Sequence, residues 1–145
     1  MPLTLVSDGA GRWLTTTGAA IAVTKTLPQL TGKFDGLSVR VPTPVVSLSD
    51  VTALLRRDVT VEQVNGAFKK AAQSNFYQGI LGVSEEPLVS RDFIGNSCSG
   101  IVDLPLTKVV DGNLIKVMVW YDNEWGYSNR LVELVADVGH YLNQS

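Results

Sequence analysis

Leu114-Ile115-Lys116-Val117-Met118-Val119-Trp120-Tyr121 runs without a break into Asp122-Asn123-Glu124-Trp125-Gly126-Tyr127-Ser128-Asn129-Arg130. In the first part, Leu114, Met118 and Trp120 share one face with Lys116, and Ile115, Val117, Val119 and Tyr121 share the other. Alternation with apolar residues on both sides is a strand that needs a cover on each face. The chain's own helices would supply one cover and another subunit the second, so a homo-oligomer is expected. The second part opens a helix. Tyr127, Leu131, Leu134, Val138 and Leu142 recur in it at three- and four-residue steps, as a buried stripe does. Asp122 or Asn123 is placed to cap that helix, with Trp125 and Tyr127 as core anchors. The same junction also reads as a ligand site, because it holds polar and aromatic side chains at the end of a rigid sheet.

The remaining composition narrows the class. The chain has 145 residues and a net charge of −2 with both signs interspersed. No basic stripe suits nucleic acid, and no apolar run reaches the ~18 residues of a membrane helix. One cysteine excludes an internal disulfide framework and suits a reducing, cytoplasmic setting. No cluster of metal-ligating residues is seen, so no metal is expected.

Upstream, Thr15-Thr16-Thr17-Gly18-Ala19-Ala20 opens a helix that runs to about Leu27 and is stopped by Pro28. Thr16 or Thr17 is its cap, and such a helix start also suits an anion. Phe34–Val41 reads as a strand carrying Arg40 among valines; its guanidinium needs either an internal ion pair or a phosphate. Val45–Arg56 reads as a second strand. Thr60 and Gln63 form a capping box for a helix whose stripe is Val61, Val64, Phe68 and Ala71 or Ala72. Ile80–Val83, Leu88–Phe93, Cys98–Val102 and Thr107–Val110 read as short extended pieces. Glu85 and Glu86 read as a solvated turn, and Asp111-Gly112 as a hairpin signal. The sum is an α+β fold: a mixed, mostly antiparallel sheet of about seven strands with helices on one face. Residues 1–145 are expected to form one domain, with 1–14 as a divergent N-terminal segment.

Four stretches carry a family resemblance: TTTGAA at Thr15–Ala20, RVPTP at Arg40–Pro44, EEPLVSRDF at Glu85–Phe93, and YDNEWGYSNR at Tyr121–Arg130. Their order and spacing resemble the C-terminal catalytic domain of phosphorylating glyceraldehyde-3-phosphate dehydrogenases. Erythrose-4-phosphate dehydrogenase has a similar domain. The resemblance implies that a thiolate attacks an aldehyde, hydride passes to NAD or NADP, and phosphate releases the acyl group. It implies that Thr17 and Gly18 bind inorganic phosphate and that Arg40 lies between two phosphate positions, one of them the sugar phosphate's. Asp8 would lie near the substrate phosphate. Asn123 would hold the nicotinamide carboxamide, with Tyr127 against the nicotinamide ring.

The departures are as informative. The family's S-C-T-T-N-C type stretch, its activating histidine and its glycine-fingerprint dinucleotide-binding half have no counterpart here. Cys98, in Ser97-Cys98-Ser99-Gly100, is not at the catalytic position and has no cation beside it in sequence to lower its pKa. His140 matches nothing catalytic. The chain is therefore expected to be a catalytic-domain fragment or truncated relative, inactive alone and binding NAD or NADP weakly at most. It would work with a separate dinucleotide-binding half. A non-catalytic oligomerisation or phosphate-binding module is the alternative.

Overall fold

The computed structural model describes residues 14–143. The chain divides into two compact units, residues 1–44 and 45–145.

In the first unit, β1 (Leu14–Thr16) and β2 (Leu37–Val39) form an antiparallel ribbon in which Leu14 faces Val39 and Thr16 faces Leu37. Helix α1 (Gly18–Thr26) starts immediately after β1. Thr17 caps it, its hydroxyl accepting from the Ala19 N–H at 3.1 Å. Lys25 sits in the last turn, where a cation favours the helix dipole, and Pro28 begins a short 3₁₀ turn.

The second unit is built on β3 (Ser47–Leu54), α2 (Val61–Ala72), β4 (Leu81–Ser84), β5 (Gly100–Val110), β6 (Leu114–Tyr121) and α3 (Trp125–Asn143). The strand order is β3-β6-β5-β4, with β4 parallel to β5 and the other pairs antiparallel. The apolar run that is richest on both faces thus becomes an interior strand. Asp111 (φ 49°) and Gly112 (φ 75°) take the left-handed backbone that turns β5 into β6.

One face of the sheet is closed by α2. Val64 and Phe68 pack on Val102, Leu104, Val117 and Val119, and Val102 and Val117 are the most deeply buried side chains. The capping box is complete: Gln63 N–H donates to Thr60 Oγ1 at 3.3 Å, and Thr60 N–H donates to Gln63 Oε1 at 3.0 Å. On the opposite face, Val46, Phe93 and Ile101 form a second cluster with Trp120. The rings of Phe93 and Trp120 stack at 5.4 Å, and Trp120 Nε1 donates to Asp103 Oδ2 at 2.9 Å. Farther along this face Leu48, Leu54, Val110 and Leu114 are exposed. Lys116 bonds Asp50 there at 2.6 Å.

The α+β class and the mixed sheet agree with expectation; four details do not. Among the described residues there are six strands, not seven, and four of them form the main sheet. The pieces around Cys98–Val102 and Thr107–Val110 are one strand. Pro105 lies in the register shift between Asp103 and Lys108, where a missing N–H breaks no regular ladder bond. Leu88–Phe93 is not extended: Asp92 Oδ2 accepts from Val89 N–H at 2.8 Å and winds Ser90–Phe93 into a 3₁₀ turn. Within this unit the sheet is covered by α2 and not by α3, whose expected buried stripe is exposed along Tyr127, Leu131, Leu134, Val138 and Leu142. Gly126 is the only buried residue of α3.

Candidate functional site at the junction of β6 and α3

The junction is built around Asp122, which is 3% exposed. Its Oδ1 accepts from the N–H groups of Glu124 (3.0 Å) and Trp125 (2.9 Å), which caps α3. Its Oδ2 accepts from the Gly95 N–H at 2.9 Å, tying the loop that carries Phe93 to the end of β6. These backbone donors, Trp125 first and then Gly95, hold the carboxyl below its usual range, against burial, which pushes the other way. Of the two candidates for the cap, Asp122 fills the position. Asn123 is left exposed.

Asn123 is not loose. The Ser47 hydroxyl, at the start of β3, donates to Asn123 Oδ1 at 3.2 Å. Tyr127 follows four residues later, one helical turn away, and is 67% exposed. Trp125 is exposed as well, so neither aromatic is the core anchor expected of it. Gly126 fits where a side chain would not: a Cβ there would meet the Cys98 carbonyl oxygen at 2.8 Å. Arg130 Nη1 reaches the Gly79 carbonyl at 3.2 Å, and its Nη2 pairs with Glu133.

The other expected site residues lie in the first unit. Thr17 follows β1 just past the Thr16–Leu37 pair, and Arg40 follows β2 just past the Leu14–Val39 pair. They mark opposite ends of the ribbon, on the order of 13 Å apart along the ladder. Gly18 is the first residue of α1 and is exposed. Arg40 is exposed and makes no ion pair among the described residues, so the internal salt bridge is not its partner. Asp8 lies outside the described residues.

Cys98 is half-buried in the cluster beneath Trp120. Burial pushes its thiol up, and Arg130, which folding brings near although sequence does not, only partly opposes this. The side chain is that of a small core residue, not of a ready nucleophile. His140 is exposed in the last turn of α3. Glu85 pairs with Lys69 at 2.8 Å on the exposed surface, as a solvated turn does. Sequence reasoning missed Ser47. The pairing of β3 with β6, which places Ser47 opposite Tyr121, is what brings it to Asn123.

The family profile described as "Glyceraldehyde 3-phosphate dehydrogenase, C-terminal domain" matches residues 13–123. The chain is 55% identical over 122 residues to the glyceraldehyde-3-phosphate dehydrogenase of Geobacillus stearothermophilus, covering 84% of this chain and 36% of that protein. It is 51% identical over 128 residues to glyceraldehyde-3-phosphate dehydrogenase 2 of Streptomyces avermitilis, covering 88% and 38%. For the glyceraldehyde-3-phosphate dehydrogenase of Priestia megaterium the values are 57% over 120 residues, 83% and 36%. The chain thus spans little more than a third of the length of these relatives.

Proposed function

Because this chain belongs to the glyceraldehyde 3-phosphate dehydrogenase family as its C-terminal domain, we propose that it supplies the phosphate- and nicotinamide-facing surface of a cytoplasmic, NAD- or NADP-dependent oxidation of glyceraldehyde 3-phosphate. In this reading the nucleophile comes from residues outside this chain's sequence, and these 145 residues alone do not turn over. The observation that carries it is α3. The helix starts just after Asn123, carries Tyr127 in its first turn and leaves its apolar stripe exposed. Covering Leu131, Leu134, Val135, Val138 and Leu142 would contribute about 1.5–3 kcal/mol for each side chain fully buried. A dinucleotide-binding half seated on that stripe would lie next to the junction where the nicotinamide end of the cofactor is expected.

The junction fits such a group. A nicotinamide offers a carboxamide and a flat ring; Asn123 offers a primary amide and Tyr127 an exposed aromatic face one turn on. When bound, the dinucleotide accepts the hydride. Asn123 orients the carboxamide, Tyr127 shields one side of the ring, and the start of α1 with Thr17 and Gly18 presents backbone donors to inorganic phosphate. Arg40, exposed and without an ion pair among the described residues, is available to a phosphate group.

The test is aldehyde- and phosphate-dependent nicotinamide reduction by the purified chain, by a Cys98→Ser variant, and by each mixed with a separately produced dinucleotide-binding half of the family. No turnover is expected from the chain alone, and turnover in both mixtures. Turnover by the chain alone that disappears in Cys98→Ser would overturn the reading and make Cys98 a relocated nucleophile.

A further inference from the structure

β3 is the outer strand of the main sheet, and among the described residues only β6 pairs with it. Its register with β6 runs unbroken from Ser47 to Leu54, with neither a proline nor a bulge. Such an edge is a template for another strand unless charge, proline or irregularity blunts it. The single charge on β3, Asp50, is taken up by Lys116. Leu48, Val51 and Leu54 are exposed. The strand at the other edge, β4, is only Leu81–Ser84 and offers far less to pair with.

The direction of the free backbone groups follows from one hydrogen bond. The Leu55 N–H donates to the Asn113 carbonyl at 2.8 Å. Bonding alternates along an antiparallel strand, so Ser49, Val51 and Ala53 turn their N–H and C=O groups toward β6. Leu48, Asp50, Thr52 and Leu54 turn theirs outward. These four side chains also lie on the open face, opposite Trp120, Met118, Lys116 and Leu114. Val51 lies opposite Val117, on the face that α2 closes.

A two-fold axis normal to the sheet joins two such edges antiparallel and keeps each face on its own side. Every residue then meets one from the same face. Centred on Asp50, the pair sets two carboxylates opposite each other and brings Val46, whose φ of 71° is not extended, against Leu54. Centred on Ser49 or Thr52, it leaves one end of each strand unpaired. Centred on Val51, it matches Leu48 with Leu54, Ser49 with Ala53 and Asp50 with Thr52 along nearly the whole strand. Leucine meets leucine, Thr52 offers Asp50 a hydroxyl donor, and no like charges face each other.

We propose that two copies of this chain join edge to edge along β3, with Val51 of each at the two-fold axis, into one continuous sheet. The outward N–H and C=O groups of each β3 then close on the other copy. The pairing needs no ligand and does not rest on the phosphate or nicotinamide reading.

The test places a cysteine at the axis in a Cys98→Ser background. Val51 would face its own copy in a non-hydrogen-bonded pair, with Cα atoms about 4.5 Å apart and within disulfide reach. Thr52 is also exposed, but its copy lies two places along the neighbouring strand, beyond the limit of about 7 Å. With oxidised glutathione, Val51→Cys should run as a covalent dimer on non-reducing gels and Thr52→Cys as a monomer. Sedimentation of the wild-type chain should show a dimer. Thr52→Pro should raise its Kd about thirtyfold, because each copy loses one outward N–H donor while the ladder to β6 stays intact. Val51→Lys alters no backbone group and should weaken the dimer through like charges at the axis. A monomeric wild type, failure of Val51→Cys to crosslink, or equal crosslinking by Thr52→Cys overturns the edge pairing. A dimer that survives both Thr52→Pro and Val51→Lys is held by another surface and overturns it too.

Discussion

Replacing Asp122 tests the junction most directly, because one carboxylate there serves three backbone donors. In Asp122→Ala the N–H groups of Glu124, Trp125 and Gly95 all lose their acceptor at a position that is 3% exposed. Loss of a helix cap costs about 0.5–2 kcal/mol. Loss of the separate charge-assisted bond to Gly95 costs about 1.5–3 kcal/mol. The sum is roughly 2–5 kcal/mol, and at about 3–4 °C per kcal/mol it lowers the melting temperature on the order of 10 °C. Asp122→Asn keeps one acceptor for the cap but turns an amide toward Gly95 N–H or gives up the cap, so its cost should fall in the lower half of that range. The sign with pH follows from a carboxyl held below its usual range in the folded chain. Its contribution is full above the unfolded carboxyl pKa of about 3.9 and is lost as pH falls through the lower, folded value. The melting-temperature gap between wild type and Asp122→Asn should therefore stay constant from neutral pH to about 5 and shrink below about 4. Calorimetric melts across that range provide the measurement. A gap that does not close in acid, or an Asp122→Ala variant within ~0.5 kcal/mol of wild type, would refute the account of the junction.

Two other outcomes follow from the same structure. Gly126→Ala should destabilise the start of α3 by about 1–3 kcal/mol, because its methyl group would meet the Cys98 backbone oxygen at 2.8 Å; a denaturant melt unchanged from wild type would contradict that close approach. The exposed apolar residues Leu48, Leu54, Val110 and Leu114 on the open sheet face should seat a second copy, burying more than ~1,000 Å² in total; sedimentation should show an oligomer that Leu54→Glu with Leu114→Glu dissociates, and a monomeric wild type at micromolar concentration would exclude it.

The parts of the fold legible in the sequence are those decided by neighbours along the chain. The Thr60–Gln63 capping box, the Asp111-Gly112 turn and the two-sided strand Leu114–Tyr121 all follow from local patterns, and all are present. The misread elements depend on a partner elsewhere. Pro105 would end an isolated strand, yet β5 passes through it because a register shift lets β6 resume pairing at Lys108. Leu88–Phe93 reads as a short extended piece, and one carboxylate, that of Asp92, winds Ser90–Phe93 into a 3₁₀ turn instead. At the site, Asn123 and Tyr127 were reached through family resemblance and Asp122 through cap chemistry. Ser47 was invisible because nothing local marks a serine as the neighbour of residue 123.

Helix α3 makes the same distinction in the sharpest form. Periodicity of 3.6 residues says that one face of a helix needs cover; it does not say from where the cover comes. Tyr127, Leu131, Leu134, Val138 and Leu142 keep the period well enough to call for burial, and the sheet of the same unit does not provide it. A helix in water gains most of its stability from tertiary packing of its apolar stripe. α3 is therefore stabilised within this unit chiefly at its first turn, where Asp122 caps it and Gly126 lets it approach Cys98. The residues that hold the helix by its root are thus adjacent to the ones proposed to meet the nicotinamide. Anything that covers the stripe must pack against a helix whose direction Asp122 already fixes; if a dinucleotide-binding half is that cover, as proposed, its docking and the alignment of the cofactor would be coupled through Asp122.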